Sequence, residues 1–289
     1  MLVIGIVICA IIGAMISRRN VLGGFAGLSL PALAGCGGDP PKGSGFDHAA
    51  ASSRHSVPGL DAVIDISHNV TVTDFAAVRR SKILAVLHKV TEGGDWFDPS
   101  YGQRRRQAEA AGLLWGGYHF GTRQYSGEKQ AAAFLSACQP GPATVMALDL
   151  EPNEANPRNT MTLPQAEEFV LAVQRATGRL PMVYAHPAWA NGEVYGRRRL
   201  RLSAPVLPGS LLSRCELWLA DYREQPQLPN AWATKGWRLW QYVADETESN
   251  FAYGSEPRAV AGVGHCDRNL FNGDVAALNR FWKSGGRMA

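Results

Sequence analysis

No two cysteines in this chain stand at zinc-ligand spacing: Cys9, Cys36, Cys138, Cys215 and Cys266 are scattered along 289 residues. A finger-type or other Cys-rich metal site is therefore excluded, and no cofactor is implied. A strong charge bias is also missing. Of 29 Lys and Arg, Arg18 and Arg19 lie in an N-terminal stretch without acidic residues, which leaves 27 basic against 25 acidic residues. So near a balance lacks the basic face that nucleic-acid binding requires. The apolar run from Leu2 to Met15 falls short of the roughly 20 residues that cross a bilayer as a helix, and no internal repeat points to a solenoid or propeller. What is present is ordinary globular composition, 46% hydrophobic and 19% charged, in a chain long enough to bury a sizeable core.

The N-terminal segment reads as an export signal. Ser17-Arg18-Arg19-Asn20-Val21-Leu22 resembles a twin-arginine motif, Val21 to Leu33 resembles its apolar core, and Leu33-Ala34-Gly35-Cys36 resembles a bacterial lipobox. That resemblance implies acylation of Cys36 and a body held outside the cytoplasm by a lipid anchor in a membrane. Residues 1–36 are thus expected to be the signal, and 37–59, rich in Gly and Pro, a flexible tether. Residues 60–289 are expected to form one domain. Three cysteines remain there, enough for one disulfide and one thiol in an oxidising compartment.

In the body, short runs rich in Val, Ile and Leu alternate with helical stretches, the pattern of a parallel sheet made of βα units. Strands are expected at 62–67, 83–91, 113–120, 143–151, 181–186, 216–222, 237–243 and about 264–269. Helices are expected at 73–82, 99–111, 127–138, 163–177 and 275–283. Eight strands suggest a closed α/β barrel. The segments between the last strands are rich in Pro, Gly, Asn and charge, so full helices are not expected there.

The chemistry concentrates at strand ends. The fourth strand is apolar until Asp149-Leu150-Glu151, and side chains two apart on a strand share a face, roughly 6.6 Å apart along the backbone. In a βα barrel the C-terminal strand ends line the active-site mouth. Two carboxylates held together in a partly dry pocket push one pKa up, giving an acid beside a base, which is the working unit of glycoside hydrolysis. Acidic residues at strand ends commonly do no more than cap helices. Here, however, Asp65 ends the first strand and Asp267 lies in the last, and unpaired buried carboxylates are costly.

From about Asp61 to Trp282 the chain resembles the family 25 glycoside hydrolases. The resemblance rests on ordered segments: Ile64-Asp65-Ile66-Ser67-His68, Lys89-Val90-Thr91-Glu92-Gly93, Asp98-Pro99, Gly116-Gly117-Tyr118-His119-Phe120, Asp149-Leu150-Glu151, Leu217-Trp218-Leu219-Ala220-Asp221-Tyr222, Trp240-Gln241-Tyr242 and Asp267-Arg268-Asn269. It implies an irregular barrel of five βα units and three further strands, a (β/α)5(β)3 fold. It also implies cleavage of the β-1,4 bond after N-acetylmuramic acid in peptidoglycan glycan strands. By position, Glu151 would be the general acid and Asp149 would stabilise positive charge or orient the substrate acetamide. Asp65 and Asp267 would bind substrate or tune that pair. Glu92, His119, Asp221 and Gln241, which stand in matching segments, would contact sugar; Tyr118, Tyr184, Trp218, Tyr222, Trp240 and Tyr242 fall at or near strand C-terminal ends, where flat rings either stack on sugar faces or pack the core and rim. No metal or organic cofactor is implied, and a monomer is the expected state.

Two features depart from the family. Asn69-Val70 follow Ser67-His68 where many relatives carry an aromatic residue and Gln, and Tyr195-Gly196-Arg197-Arg198-Arg199-Leu200-Arg201-Leu202 is unusually basic. That basic run is either a solvated loop or a contact for an anionic wall polymer or membrane surface. Two other functions remain open from sequence: a glycan-binding module on the same barrel, and a chitinase-like hydrolase. Against the second, Val145 and Ala147 occupy positions before Asp149 where chitinases carry further acids.

Overall fold

The computed structural model describes residues 59–223, 225–244 and 260–287. The expected export signal, Cys36 and nearly all of the expected tether lie outside the described residues.

Nine strands make one sheet: β1 (Leu60–Ile66), β2 (Ala85–Glu92), β3 (Trp96–Phe97), β4 (Leu114–Phe120), β5 (Val145–Asp149), β6 (Met182–Ala185), β7 (Leu217–Ala220), β8 (Leu239–Val243) and β9 (Asp267–Phe271). β3 is a short hairpin partner hung on β2. The other eight close into a barrel through the β1–β2 pairing. Among these eight, β1, β2 and β4 to β8 run parallel, as expected. β9 does not: it lies antiparallel to both β1 and β8. Antiparallel to β8, β9 starts at the end of the barrel where β8 finishes. An antiparallel strand needs no crossover helix. Asp267, the first residue of β9, therefore sits at the same mouth as the last residues of the parallel strands.

The helices are α1 (Phe75–Arg80), α2 (Tyr101–Ala110), α3 (Gly127–Cys138), α4 (Leu163–Thr177), α5 (Pro187–Ala190), α6 (Leu211–Arg214) and α7 (Val275–Lys283). Local chemistry fixes the longest. Ser126 accepts from the Lys129 amide at the start of α3. Gln165 accepts from the Thr162 amide at the start of α4, which stops at Gly178 with φ of 68°. Asp274 caps α7 through the Ala277 amide. These are helix start and stop signals that need no tertiary context. Between β7 and β8, among the described residues, the helical structure is a single 3-10 turn, Asn230–Trp232.

Period-two alternation divides the strands between two cores. Inward residues such as Val63, Leu87, Val145, Ala147, Met182 and Leu239 fill the barrel, together with Phe271, Leu278, Phe281 and Trp282. The last three belong to α7, which plugs the floor, with the Trp282 indole donating to the Trp115 carbonyl. Outward residues pack under the helices in the larger core. Cys138 and Cys215 belong to that outer core on separate elements, and the disulfide considered from sequence does not form among Cys138, Cys215 and Cys266.

Candidate active site

At the mouth the inward positions turn polar. Asp65 stands two residues beyond Val63, Asp149 two beyond Ala147, and Gln241 two beyond Leu239; all three are about 1% exposed. Asp65 and Asp267 are direct register partners on β1 and β9. Beneath them Tyr118, Tyr184 and Trp218 pack edge to face, with ring centroids 5.8 and 4.9 Å from that of Trp218.

Gln241 joins these parts. Its Nε2 donates to Asp65 Oδ2 (2.9 Å) and to Asp267 Oδ2 (3.1 Å). Its Oε1 accepts from the hydroxyls of Tyr184 (2.8 Å) and Tyr222 (2.6 Å). Asn269 repeats the design: Nδ2 donates to Asp65 Oδ2 at 2.9 Å, and Oδ1 accepts from the Trp218 indole at 2.6 Å. Because an indole only donates, both the Asn269 amide and the oxygen it meets have assigned roles. Asp65 Oδ2 accepts two N–H bonds, and two carboxylates from neighbouring strands are held side by side through one amide.

The expected strand through Glu151 is shorter than the sequence suggests. β5 ends at Asp149, although the Leu150 amide still donates to the Tyr184 carbonyl at 3.0 Å. Pro152, which lacks an amide donor, then stops the ladder. Leu150 is buried in the outer core, so alternation returns Glu151 toward the mouth, where it is partly exposed. Its surroundings are aromatic. Burial first, and then the charge of Glu151, push the Tyr195 phenol above its ordinary range. Tyr222 is raised as well, by burial first, with Tyr195, Asp267 and Glu151 adding to it. Tyr195 is stacked on His186 at 4.0 Å, and His186 caps α5 by accepting from the Ala188 amide.

Several residues expected to meet sugar lie elsewhere. His119 follows Tyr118, and adjacent strand residues cannot both face inward. It is fully buried beneath α3 and α4, stacked on Phe169 at 4.8 Å. Gln130 commits its Nε2 to the Thr122 and Tyr125 carbonyls, so its Oε1 accepts from His119 Nε2 at 3.1 Å. His119 Nδ1 then accepts from the Thr91 hydroxyl at 2.8 Å, and burial lowers its pKa to about 3. Trp240 likewise precedes Gln241 and points outward, between Trp237 and Tyr242, with its indole on the Asp221 carbonyl. The Asp221 carboxylate accepts from Arg223 Nε and the Gln227 amide, each at 2.8 Å, and shapes the β7–β8 loop. Glu92 stays at the mouth, bonded to Lys89 Nζ, which lies about 5 Å from the ring centres of Trp96 and Phe120.

Alternation from Asp267 would have found Asn269, while Tyr222, one of the strand-end aromatics, enters the network through its hydroxyl on Gln241. The Asp98-Pro99 segment has a structural explanation. Asp98 accepts from the His68 and Ser100 amides, both at 2.9 Å, and Arg104 reaches the Ser67 and Val70 carbonyls. Together they clamp the turn after β1 that follows Asp65. Among the described residues no His, Cys, Asp and Glu group forms a metal-holding cluster.

A barrel with carboxylates on β1, β5 and β9 at one mouth matches one family model, Glycosyl hydrolases family 25, over residues 64–250. The chain belongs to family 25 of the glycosyl hydrolases. Lysozyme M1 of Streptomyces globisporus is 25% identical over 232 residues, 74% of this chain and 69% of that protein. The bacterial lysozyme of Streptomyces coelicolor superposes with a TM-score of 0.64 at 24% identity, over 80% of this chain and all of that one. A family 25 lysozyme from Aspergillus fumigatus gives a TM-score of 0.60 at 26% identity, over 78% of this chain and 99% of that one. As a family 25 member the chain is a glycosidase with the family's barrel.

Proposed function

We propose that the protein is a muramidase, hydrolysing the β-1,4 bond between N-acetylmuramic acid and N-acetylglucosamine in peptidoglycan. The carrying observation is the gathering of Asp65, Asp149 and Asp267 inside one barrel mouth, with Gln241 bridging Asp65 and Asp267, Asn269 donating to Asp65, and Glu151 two residues beyond Asp149. In this reading Glu151 donates a proton to the leaving oxygen, because it alone of the four is partly open to an incoming glycan. Asp149, two residues deeper, stabilises developing positive charge at the sugar or orients its acetamide. Asp65 and Asp267 are positioning residues: Gln241 holds them as acceptors, and they fix the polarity of the floor on which Asp149 and Glu151 act. The glycan would run between the β2–β3 hairpin, where Phe97 is half exposed, and the Tyr195 side.

Such an enzyme acts outside the cytoplasm, where its substrate is. We propose that residues 1–36 deliver it there and that Cys36 carries a lipid anchor. The named residues come from one chain, so a monomer suffices. The test is digestion of purified peptidoglycan, with products reduced by borohydride and identified by mass spectrometry. New reducing ends on N-acetylmuramic acid are expected. New ends on N-acetylglucosamine, or no release by a folded protein that sediments with the wall, would overturn the assignment.

A further inference from the structure

The basic segment singled out in the sequence is a built hairpin at the rim of the mouth. Tyr195 and Leu200 bridge antiparallel, with amide to carbonyl bonds of 2.8 and 3.0 Å in the two directions. Its tip passes against Glu154, three residues beyond Glu151. The Arg198 amide donates to Glu154 Oε2 at 3.2 Å, and Gly196, at φ of 75°, approaches so closely that a Cβ there would lie 1.8 Å from Glu154 Oε1. Arg199 is held at φ of 53°, a conformation that a non-glycine residue adopts only when its surroundings impose it. At either end of the hairpin Tyr195 stacks on His186 and Leu202 is buried. A loop serving only as a solvated connection needs none of this anchoring.

What the anchored tip presents is positive charge. Arg197, Arg198, Arg199 and Arg201 are all exposed, and among the described residues none of their guanidinium groups meets a carboxylate. Arg123 and Arg158, exposed on the loops after β4 and β5, add to the same end of the barrel. Beneath this rim lie the acidic site residues, so the mouth is negative within and positive on one lip.

We propose that this arginine hairpin binds the carboxylates of the peptide stems carried by the glycan strand being cut. The inference rests on the muramidase reading and deepens it. A glycan backbone of N-acetylated sugars offers arginine no charge of its own, whereas each stem leaves the muramic acid lactyl group and bears free carboxylates, which guanidinium groups recognise in bidentate fashion. The hairpin and Glu151 share the Tyr195 neighbourhood, so a strand placed for cleavage would carry a stem toward the arginines. Several exposed charges acting together steer a ligand, and salt screens that effect.

The test uses the triple variant Arg197→Gln/Arg198→Gln/Arg201→Gln, which leaves the strained Arg199 in place. Wild type and variant act on peptidoglycan freed of teichoic acid, and on the same glycan after an amidase has removed the stems. The expected result at low salt is a roughly tenfold fall in kcat/KM on stem-bearing strands, disappearing at high salt, with no change on stripped strands and an unaltered melting temperature. Equal losses on both substrates, or no loss on either, would overturn the proposal. Co-sedimentation with the stem-bearing wall, and competition by the stripped glycan strands in solution, are measured alongside. If the wild type cleaved neither substrate, the muramidase reading would fall, while weaker retention of the variant on stem-bearing wall would still sustain the hairpin's role.

Discussion

The two ends of this barrel are made from the same eight strands and differ in almost every physical respect. The floor is apolar: Phe271, Leu278, Phe281 and Trp282 close it, and the one polar group of Trp282 is satisfied by a backbone carbonyl. The mouth holds Asp65, Asp149 and Asp267 with Gln241 and Asn269, at a depth where water is nearly absent. Apolar burial at the floor stabilises the barrel, and desolvated carboxylates at the mouth oppose it unless each is hydrogen-bonded. The difference teaches that stability and chemistry are separable here, with one end supplying what the other consumes.

The largest expected effect tests the mouth alone. Glu151→Gln is expected to lower kcat by about three orders of magnitude or more, with the melting temperature unchanged, since it removes a proton donor and no packing. Reducing-end release and thermal unfolding on one preparation check both halves, and retained turnover would move the acid elsewhere. Trp282→Ala inverts the pattern. It should cost about 3–5 kcal/mol of unfolding free energy while the folded fraction keeps its kcat; a matching drop in kcat would show that the two ends are coupled.

Gln241→Leu mixes the two. It deprives two carboxylates of a donor and two tyrosines of an acceptor, so a loss of about 2 kcal/mol in denaturant unfolding is expected together with a fall in activity. The smallest effect sharpens the contrast by pH. His119 is neutral in the folded barrel at about pKa 3 and ionises near its ordinary 6.5 when unfolded. The unfolded chain therefore binds more protons below pH 6.5, and stability falls as pH drops toward 3. Between pH 7 and 5 this contributes a loss of about 2 kcal/mol. His88 and His186, both lowered by burial to about 4, act in the same direction. His119→Gln should flatten that dependence while leaving kcat nearly unchanged at pH 7.

Much of this was readable in the chain. The bounds of α3, α4 and α7 follow from caps written within a few residues of each helix, and the eight strands follow from their apolar runs. The carboxylates at strand ends follow as well. What local pattern could not supply was direction: nothing in Asp267-Arg268-Asn269 says that β9 runs backwards, because that depends on where the preceding segment leaves the chain. The sugar-contact set also joined Tyr118 with His119 and Trp240 with Gln241, neighbours that alternation sends to opposite faces. Family motifs mark positions without saying which side of the sheet uses them. His119 and Trp240 hold helices and loops in place, and Asn269 was overlooked though it shares a face with Asp267.

The Gln241 and Asn269 amides reach Asp65 across 176 and 204 residues of sequence. β1 gains its second neighbour only when β9 (Asp267–Phe271) arrives, so a chain that has not yet added β9 cannot close the ring. Long-range pairings of this kind carry the loop-closure entropy of nearly the whole domain and form late in folding. A growing polypeptide thus stays chemically inert until its final strand is available, and the ability to cut appears together with the completed barrel.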